Sequence, residues 1–170
     1  MTKEYVISSV DRIIKETGSR DPFSVCDRYG IQLYYHDIGE KLKGYYYYNR
    51  RISNIVINSN IDNEWLILIV LSHELGHFAL HKNSARLFQE IELQSPNPFE
   101  VEANYFGAEL LLADKDTMDV IRDTRSLYHS SSILHVPDWF LKCKINMLIT
   151  KGYDDLPYME VNSFSLRNSF

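Results

Sequence analysis

Trp65-Leu66-Ile67-Leu68-Ile69-Val70-Leu71-Ser72-His73-Glu74-Leu75-Gly76-His77 decides how this chain is read. Its apolar run is far too short to cross a bilayer and ends in a polar triplet, Ser72-His73-Glu74. The string that follows is His-Glu-x-x-His. On a helix, residues four apart lie one above the other, so the rings of His73 and His77 can reach one metal ion. Glu74 between them is placed to take a proton from a metal-activated water, the pattern of a zinc hydrolase. Leu75 and Gly76 are uncharged, which suits a helix pressed against a dry site.

Working outward, Asn60 or Asp62 can cap this helix, Glu64 complements its dipole, and the pattern runs to about His81. Upstream, Val6, Ile7, Val10, Ile13 and Ile14 recur at helical spacing before Gly18, predicting a first helix over 3–17. Asp21-Pro22 starts a second, short helix that Gly30 stops. Ile31, Leu33 and Tyr35 alternate with polar or amphipathic residues as in a strand. Lys43 to Tyr48 and Ile52 to Asn58, separated by Asn49-Arg50-Arg51, read as a hairpin. The consecutive tyrosines Tyr45 to Tyr48 put two rings on each face of its first strand, as expected of a half-exposed sheet.

Downstream, Lys82 to Asn97 reads as a loop or loosely helical flap, and a helix follows from Asn97-Pro98 through Leu112. Two more helical patterns cover Asp116 to Tyr128 and Asp138 to Ile149. The expected architecture is α+β: a zincin-like domain with about three strands, an active-site helix, a facing glutamate-bearing helix and C-terminal helices. One domain over 1–170 is expected, with 114–152 a helical C-terminal subdomain and 160–170 a fraying tail.

A chain of 170 residues is long enough to bury a full core, and a net charge of -5 argues against a nucleic-acid surface spread over the whole molecule. Lys142, Lys144 and Lys151 near the C-terminal helices are too few for DNA binding, although they offer a docking surface for a partner protein. Cys26 and Cys143 match no zinc or redox spacing. The opening Met1-Thr2-Lys3-Glu4 leads into a charged amphipathic segment and not a signal peptide, so the expectation is a cytoplasmic protein.

A catalytic zinc site usually takes three protein ligands. His81 lies one further turn along the same face, with its Cα about 12 Å along the axis from that of His73. That is too far for both to bind one ion, so His81 is expected to pack behind the ligands. A metzincin would carry Gly and His where this chain has Leu80 and Asn83. Phe99 to Ala108 offers more, because Glu100, Ala103, Asn104 and Gly107 share one helical face. Glu100 is the preferred third ligand, and Asn104 can bond the free ring nitrogen of a ligand histidine. The alternatives are Glu102, expected to point away toward Phe106 and Glu109, or no glutamate ligand, with Glu100 serving the cap at Asn97.

At these residues a family resemblance becomes specific. Lys43-Gly44-Tyr45-Tyr46, Ile55-Val56-Ile57-Asn58, His73-Glu74-Leu75-Gly76-His77 with Leu80-His81, and Glu100-Val101-Glu102-Ala103-Asn104-Tyr105-Phe106 together resemble the ImmA/IrrE family of metallopeptidases. The resemblance covers about residues 20–112. It implies Zn2+ held by His73, His77 and Glu100, with Glu74 as base. It also implies a helix-turn-helix repressor as substrate or partner, and derepression of phage, mobile-element or stress genes as the outcome. Two departures stand out: Gly107 where the family often has alanine, and Leu110-Leu111-Leu112-Ala113 where it has Leu-Leu-Met-Pro.

Two roles stay open on the residues alone. An extended substrate could add to the strand Ile52–Asn58 or to its hairpin neighbour. Tyr46, Tyr48, Tyr105, His129 and His135 are candidates to stabilise an oxyanion. Other functional readings are an anti-repressor that binds its partner without cleaving it, with zinc structural, or the toxic half of a two-gene pair.

Overall fold

The computed structural model describes residues 1–81, 96–154 and 156. The flap expected over 82–97, except for its last two residues, and the tail expected over 160–170 lie outside the described residues. Helix α1 (Lys3–Thr17) is capped by Thr2 and stops at Gly18; α2 (Pro22–Tyr29) is capped by Asp21 and stops at Gly30. Both glycines take left-handed backbone angles that cost other residues energy.

Three strands follow: β1 (Gln32–His36), β2 (Gly44–Asn49) and β3 (Ile52–Asn58). The sheet order is β1-β3-β2, with β1 parallel and β2 antiparallel to β3. The hairpin turn is Arg50-Arg51, both at positive φ (49° and 65°), the backbone pattern of a type I′ turn made without glycine. Tyr46 is buried with its ring 6.2 Å from that of Phe78, while Tyr45 and Tyr47 lie together on the opposite face.

Helix α3 (Glu64–His81) carries the His-Glu-x-x-His string, and every residue from Ile69 to Phe78 is buried. A helix apolar on all sides must be surrounded. The sheet, α2 and α1 cover it from one side, and α4 (Pro98–Leu111) lies along the other. Its N-terminus differs from expectation. Neither Asn60 nor Asp62 caps it; Asn63 does, accepting the Leu66 N–H at 3.1 Å. Asn60 instead donates to Asp37, tying two loops together.

The C-terminal part holds three helices where the periodicity predicts two: α5 (Asp114–Thr124), α6 (Leu127–Ile133) and α7 (Asp138–Thr150). Arg125 turns left-handed and ends α5, and Ser126 then caps α6. Met118, Ile121, Phe140, Leu141, Ile145 and Leu148 form a second apolar cluster that also takes in Ile69, Ala108 and Leu112. Helices α3 and α4 therefore lie between two cores and are held from both sides. Among the described residues, no helix is long and apolar enough to cross a membrane.

Two of the three lysines read as a docking surface are otherwise employed. Lys144 is fully buried, bonded to Glu109 at 2.8 Å and to Asp114, and Lys151 reaches the same two carboxylates. A cation removed from water is retained only where carboxylates compensate it, and these two do.

Candidate metal centre

The two central helices approach closely because small residues meet at their contact. A Cβ added at Gly76 would stand 2.8 Å from Ala103 Cα, and one at Gly107 would stand 3.1 Å from the His73 nitrogen. This approach brings Glu100 and Asn104, on the first turns of α4, up to His73 and His77. Asn97 caps α4 through the Phe99 N–H, so Glu100 is not needed for the cap.

One ligand atom from each of His73, His77 and Glu100 gathers into a buried group. His73 Nε2 lies 3.0 Å from Glu100 Oε2 and 3.1 Å from His77 Nε2. His77 Nε2 lies 3.3 Å from Glu100 Oε2 and 3.2 Å from Oε1. Ligands about 2.0–2.1 Å from one tetrahedral ion stand about 3.3–3.4 Å from each other, so a zinc-sized ion fits this spacing. His73 Nδ1 faces Asn104 Oδ1 at 2.8 Å. An amide oxygen only accepts, so the His73 proton belongs on Nδ1 when Nε2 serves as ligand.

The charges tell the same story. Burial and the neighbouring Glu100 push the Glu74 carboxyl up to about 8, against the pull of His73 and a hydrogen bond from the Tyr46 backbone N–H. Burial works against ionising Glu100, yet its bonds from His73 and His77 bring it down to about 2. His77 is driven down to about 4, chiefly by burial. His73 is raised although burial opposes it, because Glu100 bonds its protonated form. Even so, Glu74 Oε2 and Glu100 Oε1 accept no hydrogen bond although both are buried. Two orphaned carboxylate oxygens beside two imidazoles are a donor set suited to a divalent metal.

His81 is buried behind the cluster, its Nδ1 3.1 Å from His77 Nδ1 and its Nε2 2.9 Å from Glu102 Oε2. Glu102 is therefore misplaced by the sequence reading. It is buried and turned toward His81, with its other oxygen bonded to the Met1 amino group. Its place two residues after Glu100 gave no helical-face signal, since its partner comes from the last residue of α3.

The strand expectation is corrected in part. β3 is paired on both sides, so Ile52–Asn58 has no free edge for a substrate; among the described residues its neighbour β2 is paired on one side only. The carbonyl of Lys43 bonds back to Asn58, and backbone groups alternate along a strand. Gly44, Tyr46 and Tyr48 therefore turn their backbone groups away from β3, on the side where Glu74 takes the Tyr46 N–H.

Four of the five candidate oxyanion donors have identified neighbours. The Tyr46 hydroxyl pairs with Ser53 Oγ at 3.3 Å, and the Lys3 ammonium sits 5.3 Å from the centre of the Tyr105 ring. His135 stacks on Trp65 with ring centres 4.8 Å apart, two helical turns before His73, and His129 lies against Tyr128.

Comparison with known proteins agrees with this geometry. Residues 26–136 match a peptidase family model described as the IrrE N-terminal-like domain. The chain is 38% identical over 108 residues to immunity region protein 2 of Bacillus phage phi105, a protein described as uncharacterized; the match covers 63% of this chain and 68% of that one. It is 28% identical over 118 residues to the metallopeptidase ImmA of Bacillus subtilis (strain 168), covering 67% of each.

Proposed function

Because this chain belongs to the IrrE N-terminal-like family of metallopeptidases, we propose that it is a zinc endopeptidase that cleaves a helix-turn-helix transcriptional repressor and so derepresses phage, mobile-element or stress genes. The observation that carries the chemistry is the convergence of His73, His77 and Glu100 beside buried, unbonded carboxylate oxygens. In this reading those three residues hold the ion, Asn104 and His81 orient the histidines, and Glu74 is the general base. The resemblance to ImmA and to an immunity region protein supports a regulatory target.

A zinc ion held there supplies Lewis acidity for the peptide carbonyl and lowers the pKa of water toward 7. The rest falls to side chains and backbone of this chain. Glu74 Oε2, buried and unbonded, takes the proton of the attacking water and passes it to the leaving amine nitrogen. An opposite charge beside Glu74 favours its carboxylate form, which burial alone disfavours. The edge of β2 away from β3 binds the substrate as an added strand, with the Gly44 backbone groups and the Tyr46 carbonyl next to Glu74.

Co-expression with a neighbouring repressor, read by mass spectrometry of the products, tests this reading. Wild type should give discrete fragments. Glu74→Gln should retain zinc and lose about 10²–10⁴-fold in cleavage rate. An intact repressor pulled down equally by both forms would replace the protease with a binding anti-repressor.

A further inference from the structure

His73 and His77 present the same nitrogen to the centre but are oriented by different means. We infer that Glu102 and His81 form a positioning relay that fixes the ring of His77, a role that rests on the metal site proposed above. His77 directs Nε2 toward His73 and Glu100. A neutral imidazole carries one bare nitrogen and one N–H, so a ligating Nε2 requires the proton on Nδ1. That nitrogen is buried and faces His81 Nδ1 at 3.1 Å. His81 can accept there only if its own proton is on Nε2. Its Nε2 in turn faces Glu102 Oε2 at 2.9 Å, and a carboxylate accepts without donating.

The tautomers therefore follow from the acceptor end. Glu102 places the His81 proton on Nε2, which bares Nδ1; the bare Nδ1 takes the Nδ1–H of His77, which bares Nε2 toward the centre. A half-turn of the His77 ring would put carbon at the ligand position and break this chain of bonds. His81 is itself locked, buried to 2% exposure with its ring against Phe99 at 5.0 Å. Glu102 is anchored by the Met1 amino group. At His73 a single amide oxygen does the same work. His81 is thus kept from the metal by geometry and acts on it through His77.

Two measurements decide this. In the metal-free wild-type protein, long-range ¹H–¹⁵N NMR should show His81 protonated on Nε2, and with Zn2+ bound it should show His77 protonated on Nδ1; His81 protonated on Nδ1 alone overturns the relay whether or not zinc ever binds. In chelator competition with Zn2+, His81→Phe should lose about 10–100-fold in affinity, the usual effect of removing such a partner. His81→Gln, whose amide oxygen can accept from His77, should recover most of that loss. A merely structural role predicts no such difference between the two, and affinity of His81→Phe within twofold of wild type overturns the relay. Failure of wild type to bind Zn2+ sinks the metal reading instead, and the NMR result still decides the relay.

Discussion

Helix α4 carries a buried glutamate near each end, and the two have opposite surroundings. Glu109 has both carboxylate oxygens bonded to ammonium groups, one to Lys144 and one to Lys151, and Asp114 completes a set of two acids and two bases. Glu100, nine residues and about 13.5 Å earlier along the axis, shares its surroundings with Glu74, and its basic partners are imidazoles. One oxygen of each of those two carboxylates accepts nothing. Both glutamates are fully buried, so burial does not distinguish them. Saturation does. A network whose hydrogen bonds and charges close on themselves holds the fold, whereas one left short of positive charge has room for a cation.

The comparison is most easily broken at Lys144. Removing Lys144 leaves the carboxylates of Glu109 and Asp114 to share the one ammonium of Lys151, so Lys144→Ala should cost about 3 kcal/mol of stability in urea unfolding, the lower end for a broken buried pair. The double change Lys144→Met with Glu109→Leu should recover most of that. A loss under about 1 kcal/mol would mean the network is not the clamp its geometry suggests. At the other end the dependence is on metal. With free zinc 100–1,000 times the dissociation constant, the loaded state gains about 2.7–4.1 kcal/mol. A chelator should remove that from wild type and change nothing in Glu100→Gln. Equal unfolding midpoints for wild type with and without chelator would erase the distinction between the two glutamates.

The two clusters also differed in how much of each could be read from sequence. His73 and His77 sit at helical spacing, and Glu100 and Asn104 repeat that spacing on the facing helix, so a local rule pointed to all four. The elements around them were marked by local chemistry as well, by Asp21 and Asn97 as caps and Gly18 and Gly30 as stops. The saturated network had no such marker. Its members are separated by up to 42 residues, and Lys144 reads as a solvent residue until α7 is seen to be buried along that face. Glu102 escaped for the same reason, since its partner His81 comes from another helix. The turn at Arg50-Arg51 was placed by the break between the two strand patterns, but its type was not, because arginine carries no signal for positive φ and the strands impose the geometry. Contacts within one helix face were legible; pairings that depend on how helices dock were not.

Close approach of α3 and α4 separates the two ends more finely. Gly76→Ala drives a methyl into the Ala103 backbone at 2.8 and 3.0 Å, and backbone cannot rotate away. A stability loss of about 1–3 kcal/mol is expected, with weaker zinc binding because Glu100 retreats with its helix. At Gly107 the nearest atoms stand at 3.1–3.2 Å, so Gly107→Ala asks only a few tenths of an ångström of its neighbours. It should cost less than Gly76→Ala and leave zinc affinity near wild type. Thermal unfolding and chelator competition on the two variants give the order, and a larger loss at Gly107 would refute the packing argument.

The smallest effect expected is in the pH dependence of the saturated cluster. Burial alone would raise Asp114, but hydrogen bonds from Lys144 and Lys151 hold its carboxyl below the ordinary value. A depressed carboxyl contributes stability above its unfolded pKa of about 3.9 and loses it as pH falls through the lower folded value. Burial would depress Lys151, yet Asp114 and Glu109 raise it. A raised lysine contributes fully below about 10.4 and loses that contribution as pH rises through the higher folded value. Asp114→Asn should therefore flatten the acid limb of the stability curve, and Lys151→Met the alkaline limb. Both changes should be smaller than the loss at Lys144, because the side chains of Asp114 and Lys151 are 22% and 17% exposed and water shares in their solvation. An acid limb unaltered in Asp114→Asn would show that Lys144 is balanced by Glu109 alone, and that the network closes as a pair without its outer members.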